Sequence, residues 1–141
     1  MQSSIVNIMR RFDFDEKSGS LLFWKNTWVG NSWSLRLAGQ QTNQDKKGLK
    51  NYRKNCLRHG EVGPGTWVQH DCFAGQAAQT GGPHQRTKQD PTQFLGQLVV
   101  PVFSQGELVG VIELVTFIPK EDYGPDLIQI NRLLMDENLH G

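Results

Sequence analysis

The chain has 141 residues, of which 37% are hydrophobic and 21% are charged, and its formal net charge at pH 7 is +1. These values are typical of one globular domain, so we expect a single domain over residues 1–141. A charge balance this even gives no electrostatic reason to expect binding to DNA, RNA or a membrane surface. The longest apolar runs are too short to span a bilayer, and the first residues do not resemble a signal peptide.

The first third of the chain predicts a helix followed by a hairpin. Residues 2–12 carry apolar side chains at helical spacing, which predicts a short helix with one buried face. After a turn-rich break at 13–20, two strands are predicted at 21–24 and 33–37, joined by a turn at 30–32.

The middle of the chain is harder to assign. Three segments are predicted to be loops because they are polar or rich in glycine: 39–50, 60–65 and 81–91. Between them we expect a helical turn over 52–57 and a short strand at 67–70. A helix is predicted over 72–79, with Asp71 as its N-cap and Gly81 as its C-terminal stop.

The last third has the clearest pattern. Two apolar strands are predicted at 98–103 and 107–117, joined by a tight turn at 104–106. An amphipathic helix follows over 125–139, with Pro125 in its first turn. Strands flanked by helices in this order predict an α+β domain with an antiparallel sheet. The chain ends soon after this helix, so we expect it to be one domain of a larger protein.

No pattern of catalytic or metal-binding residues stands out. The acidic clusters near Asp13 and Glu121 lie in predicted turns. They lack the difference in burial between two carboxyl groups that makes one a general acid and the other a base. Cys56 and Cys72 lack the spacing of a zinc site, the histidines lack HxH or HxxxH spacing, and a reducing compartment is expected. The pair His70 and Cys72 is more typical of a buried structural cysteine than of a nucleophile with its base. We therefore expect no catalytic residue and no metal.

Two sets of segments carry a resemblance to known families. Residues 98–103 and 108–114 resemble the last two strands of GAF domains. Five further segments are similar to the amino-terminal region of plant NIN-like proteins: 39–41, 48–53, 75–78, 113–116 and 123–127. The similarity extends from Ile5 to Leu139. NIN-like proteins are nitrate-responsive transcription factors whose RWP-RK DNA-binding domain lies further along their chain.

The resemblance implies a GAF-like α+β fold, with a twisted antiparallel sheet of five or six strands and flanking helices. It also implies a non-catalytic sensory and regulatory domain, in the nucleus and cytoplasm, that binds a small molecule between the sheet and the segments that cross it. Nitrate or another small anion is then the expected ligand, with no further cofactor. The rest of the parent transcription factor is an expected partner, and direct contact with nucleic acid is not expected.

A nitrate site requires a few hydrogen-bond donors in a mostly apolar pocket. Arg53 and Tyr123 are candidates because they match positions of the family. Other candidates follow from side-chain type and from predicted position on the crossing loops, with two tryptophans as possible walls: His70, His84, Arg86, Trp24 and Trp67. Packing in the core or on the surface is the competing interpretation for each of them.

Two other functions remain open at this point. The domain could bind no ligand and instead form homodimers, or contacts within the parent protein, through its terminal helices at 2–12 and 125–139. It could also be a GAF-type sulfoxide reductase, which would need Cys56 and Cys72 to approach each other.

Overall fold

Four helices and five strands are present in the computed structural model, which describes residues 2–90 and 93–141. In chain order the elements are α1 (Gln2–Arg11), β1 (Gly19–Asn26), β2 (Leu35–Asn43), α2 (Lys47–His59), α3 (Phe73–Thr80), β3 (His84–Asp90), β4 (Gln93–Ser104), β5 (Glu107–Thr116) and α4 (Gly124–Asp136). The strands form one sheet in the order β2-β1-β5-β4-β3, and every neighbouring pair is antiparallel. The predicted α+β class with an antiparallel sheet and flanking helices is confirmed.

The inner strand β1 contributes side chains to two hydrophobic cores, one on each face of the sheet. Successive side chains of a strand point to opposite faces of the sheet. Leu22 and Trp24 pack into the core beneath α2 and α3, whereas Leu21 and Phe23 pack into the core beneath α1 and α4. None of these four side chains is more than 3% exposed. Because helices cover both faces, this strand is a continuous apolar run without polar alternation.

The long connection between β2 and β3 covers one face of the sheet. It consists of α2, the irregular residues 60–72, and α3. Leu35 and Val62 exchange two backbone hydrogen bonds, of 2.8 and 2.9 Å, which attach the irregular segment to the start of β2. A cavity can therefore form on this face between the sheet and the crossing segments.

Two of the three predicted loops are wrong over much of their length. Residues 39–43 are the second half of β2, and residues 84–90 are β3. These are the two edge strands of the sheet, where one backbone neighbour holds the strand and exposed positions need no apolar side chains. Polar composition therefore hid both strands. Pro91, the last residue of the predicted loop at 81–91, lies outside the described residues.

The helix α2 is longer than the helical turn expected at 52–57. It runs over Lys47–His59, so the predicted loop at 39–50 is also wrong at its carboxyl end. Leu49, Tyr52 and Cys56 form one buried stripe along this helix. Only three apolar positions anchor it, too few to be noticed among its many charged and polar residues.

Residues 67–70 form turns, so the prediction of a strand there is wrong. The prediction that Asp71 caps α3 is also wrong, because Cys72 occupies the N-cap position without a side-chain hydrogen bond. The carboxylate of Asp71 binds Arg86 and Lys88 on the neighbouring strand instead. Ion pairs with two cations stabilise this carboxylate more than hydrogen bonds from the free N–H groups of a short helix would.

The other predicted elements are confirmed with small shifts of their ends. The turn at 104–106 joins β4 to β5, and Gln105 and Gly106 both have positive φ angles, of 52° and 81°. Turns of this kind match the twist of an antiparallel pair. No helix in the described part of the chain is long and apolar enough to cross a membrane.

Candidate functional site

A polar cavity lies on the α2 face of the sheet, with a volume of about 150 Å³. Its lining comes from β1, α2, the irregular segment before α3, and β3: Trp24, Tyr52, Asn55, Cys56, His59, His70, Asp71, Cys72 and Lys88. Four separate parts of the chain thus meet at one small site. The cavity lies between the sheet and the segments that cross it, where a ligand is expected from the sequence.

The floor of the cavity is a closed hydrogen-bond network around Glu113, which is 0% exposed. Trp24 Nε1 donates to one carboxylate oxygen over 2.8 Å. The hydroxyl of Tyr52 donates to the other oxygen, which Gln97 Nε2 also reaches over 2.7 Å. Burial raises the pKa of Glu113, while the hydrogen bonds from Tyr52, Gln97 and Trp24 oppose that rise. The network fixes the orientation of the two aromatic side chains that line the cavity.

Two cations extend from the edge strand β3 toward the cavity. Arg86 and Lys88 alternate with exposed residues, so both point to the same face of the sheet. Arg86 Nε donates to Gln97 Oε1 over 2.6 Å, and its Nη1 donates to Asp71 Oδ1 over 2.9 Å. Lys88 binds the other oxygen of Asp71. Burial alone would raise the pKa of Asp71, but the hydrogen bonds from Lys88 and Arg86 lower it, so the carboxylate is charged.

Two imidazole rings form the rest of the rim. His59 is the last residue of α2, and His70 belongs to the irregular segment. Their ring centroids are 4.8 Å apart and the rings are tilted by 42°. Both side chains are half-buried, and neither ring makes a side-chain hydrogen bond within residues 2–90 and 93–141. Both rings therefore retain nitrogen atoms that are available to a ligand.

Both cysteines line the cavity as free thiols that are almost completely buried. Burial, followed by the effect of Glu113, raises the pKa of Cys72 to about 12. The same two causes raise the pKa of Cys56 further. Both side chains are protonated at neutral pH and act as apolar wall rather than as nucleophiles. In the described parts of the chain, no three His, Cys, Asp or Glu side chains converge as metal ligands would.

The structure brings only two of the seven sequence candidates into this cavity, Trp24 and His70. Arg86 is not part of the lining, and it binds Gln97 and Asp71. Trp67 packs against Gly75, where a Cβ atom would stand only 2.3 Å from the Cβ of Trp67.

The other three candidates have partners elsewhere. Arg53 forms two hydrogen bonds of 2.9 Å to Asp45, and it lowers the pKa of that carboxyl. His84 Nε2 lies 2.6 Å from Thr80 Oγ1. Tyr123 lies in the core on the opposite face of the sheet, where its hydroxyl is 2.6 Å from Thr116 Oγ1. Their contacts are those of structural residues.

Sequence reasoning missed several residues of the site, and two signals would have found them. Tyr52, Cys56 and His59 follow helical spacing and share one face of α2. Lys88 follows the sequence candidate Arg86 at strand alternation on β3. Both signals become visible only once the predicted loops at 39–50 and 81–91 are replaced by a helix and a strand.

A comparison with protein-family models and with curated proteins finds no match to this chain. The function of the chain is therefore inferred from its fold and from the geometry of the cavity.

Proposed function

We propose that the chain is a non-catalytic regulatory domain that binds a small anion in the cavity between α2 and the sheet. One observation carries the proposal: Lys88 and the rings of His59 and His70 line the same small cavity, and the two rings are in contact. These groups supply hydrogen-bond donors, and Lys88 supplies a positive charge. The lining also contains aromatic rings and protonated thiols, which suits a small, weakly hydrated anion.

The resemblance to NIN-like proteins suggests nitrate as the anion. Nitrate accepts hydrogen bonds weakly, so it needs several donors and the exclusion of water. On this proposal the domain belongs to a nitrate-responsive transcription factor of the nucleus and cytoplasm. Occupancy of the cavity would alter how the domain contacts the rest of that protein, without direct contact with nucleic acid.

Thermal unfolding of the purified domain in nitrate and in chloride tests the proposal. A ligand that binds only the native state stabilises it by about 2.7 kcal/mol at a concentration near one hundred times its Kd. We expect nitrate to raise the Tm above its value in chloride of equal ionic strength. Lys88→Gln should abolish this difference, whereas Lys54→Gln, an exposed α2 variant outside the cavity, should keep it. An equal Tm in both salts contradicts the proposal.

A second candidate function, self-association through the terminal helices, is supported by exposed apolar side chains. On α1 and α4, Val6 is 40% exposed, Ile128 is 60% exposed and Met135 is 71% exposed. The two helices lie side by side, linked by an ion pair of 2.9 Å between Arg11 and Asp136. Apolar patches of this kind often mark interaction surfaces.

Light scattering over a range of protein concentrations tests the second candidate. A dimer that dissociates in the double variant Ile128→Ser, Met135→Ser would support it. Ile118→Ser is the matched control, because Ile118 is 73% exposed and lies outside both helices. A monomer at every concentration contradicts self-association and leaves the anion proposal untouched.

A further inference from the structure

The two histidines of the cavity form no ion pair in the described part of the chain, whereas Lys88 and Asp71 of the same lining bind each other. Lys88 and Arg86 both bind Asp71. Arg86 also bonds to Gln97, which in turn donates to Glu113. His59 and His70 contact each other, with ring centroids 4.8 Å apart.

The charges that face the pair come from every element packed around it. On β3 these are Arg86 and Lys88, and on the irregular segment the carboxylate of Asp71. The helix α2 contributes Arg58 next to His59, and β5 contributes Glu113 beneath the floor. The remaining titratable groups of the lining, Tyr52 and the two cysteines, are neutral.

Among the side chains that line the cavity, Lys88 and Asp71 carry opposite charges, which cancel when the imidazoles are neutral. Arg58, Arg86 and the buried carboxyl group of Glu113 lie outside this lining. An anion that enters such a site needs a further positive charge, since an uncompensated charge in a confined, partly dehydrated place is unfavourable. Imidazole is the side chain that gains a proton most readily near neutral pH.

The surroundings of His59 disfavour a proton on its ring in the free cavity. Burial lowers the pKa of His59, and His70, Lys88 and Arg58 lower it further, while Asp71 opposes them. The free cavity thus keeps a neutral ring at a site that an anion would make cationic. Positive charge on both rings at once is unfavourable, because the ring centroids are only 4.8 Å apart.

We propose that the cavity takes up its anion together with one proton, which is held by the His59–His70 pair. This inference rests on the proposed function, because it concerns the same cavity and the same class of ligand. The ligand class becomes a small monovalent anion whose binding is linked to protonation. In the range where the free pair is neutral and the bound pair is protonated, affinity falls tenfold for each unit of rising pH.

Calorimetric titration of the purified domain with sodium nitrate, between about pH 6 and about pH 8, tests the linkage. Each pH is measured in two buffers with different ionisation enthalpies, so that the number of protons taken up is obtained directly. We expect Kd to rise with pH and one proton to be taken up per nitrate at the neutral end of the range. In the double variant His59→Gln, His70→Gln, both the pH dependence and the proton uptake should disappear.

The control is His140→Gln, since His140 stacks on Phe103 away from the cavity. This variant should behave as the wild type does. Binding with the same Kd at every pH and no proton uptake would overturn the linkage while leaving the proposed function standing. A pH dependence that survives in the double variant would assign the proton to another group and overturn the role of the pair. No binding of nitrate even at the acidic end would overturn both proposals.

Discussion

Trp24 Nε1 and Glu113 Oε1 are joined by a hydrogen bond of 2.8 Å between the adjacent strands β1 and β5. In the register of these strands Glu113 lies opposite Leu22, so Trp24 is its diagonal neighbour on the same face. This bond, with those from Tyr52 and Gln97, places a carboxyl group at the centre of the sheet beneath the cavity. Glu113 is therefore the residue on which both the stability of this face and the shape of the cavity floor depend.

Glu113→Ala should strongly destabilise the domain. The change leaves the donors of Trp24, Tyr52 and Gln97 buried without their acceptor, and each unsatisfied donor costs about 1–3 kcal/mol. We expect the free energy of unfolding in urea to fall by about 3–5 kcal/mol. Glu113→Gln keeps the size and one acceptor oxygen, so its loss should be clearly smaller. Equal losses for the two variants would show that the network does not hold the floor together.

The raised pKa of Glu113 predicts a pH dependence of stability with a definite sign. The unfolded carboxyl titrates near 4.5, whereas the folded one retains its proton to higher pH because burial disfavours the charge. The folded state then binds more protons than the unfolded state, so this contribution to stability is complete below the unfolded pKa. It is lost as the pH rises through the folded pKa.

Urea unfolding of the wild type and of Glu113→Gln at a series of pH values measures this effect. As pH rises above about 4.5, the free energy of unfolding of the wild type should fall relative to that of Glu113→Gln. A constant difference would mean that Glu113 has the same pKa in both states. The shared contributions of Asp71 and the other carboxyl groups cancel in this comparison.

Gly96→Ala should destabilise the opposite face of the sheet. A Cβ atom at this position of β4 would stand 1.8 Å from the hydroxyl oxygen of Tyr123 and 2.7 Å from Oγ1 of Thr116. Overpacking of this kind costs about 1–3 kcal/mol. Tyr123→Phe in the same protein removes the nearest clashing atom, so the double variant should be less destabilised than the sum of the two single variants.

Gly82→Ala is the matched control for that experiment. A Cβ atom at Gly82 meets nothing within 4 Å, and its backbone is not left-handed. Its Tm should stay close to that of the wild type. If the two alanine variants unfold at the same temperature, the close approach of Tyr123 to β4 is not what excludes a side chain at Gly96.

The sequence predicted the inner part of the fold well because burial leaves a periodic pattern. The apolar runs of β1, β4 and β5 and the amphipathic faces of α1 and α4 follow directly from contact with two cores. The second half of the edge strand β2 and the whole of the edge strand β3 were not predicted, since backbone pairing with one neighbour holds them whatever their exposed side chains are.

The site was predicted less well for a related reason. Five of its side chains lie on α2 and β3, two elements whose regular structure the sequence did not fully predict: Tyr52, Asn55, Cys56, His59 and Lys88. The family resemblance selected Arg53 and side-chain type selected Arg86 as anion ligands, yet both are held by carboxylates of the domain itself. Which cation has such a partner is decided by tertiary contacts, and these cannot be read from local sequence.

Cys56 and Cys72 should react slowly with thiol reagents in the native domain. Their burial keeps both in the unreactive thiol form, and the side chains are no more than 4% exposed. We expect labelling by a disulfide reagent at mildly alkaline pH to be limited by opening of the structure, and to become fast in urea. Rapid labelling of the folded protein would contradict this environment and would favour a redox role for the pair.

Asp71→Asn should strengthen anion binding if the proposed site is correct. Asp71 faces the rim of the cavity and holds both Arg86 and Lys88, so its carboxylate offsets the positive charge that an anion requires. The side chain is 53% exposed, and water screens the effect. We expect binding to be stronger by about 1 kcal/mol, which corresponds to a roughly fivefold lower Kd for nitrate measured by calorimetry.

Asp45→Asn is the control, because that carboxylate binds Arg53 outside the cavity. A loss of affinity in Asp71→Asn would mean that ordering of Lys88 by Asp71 matters more than the charge it removes.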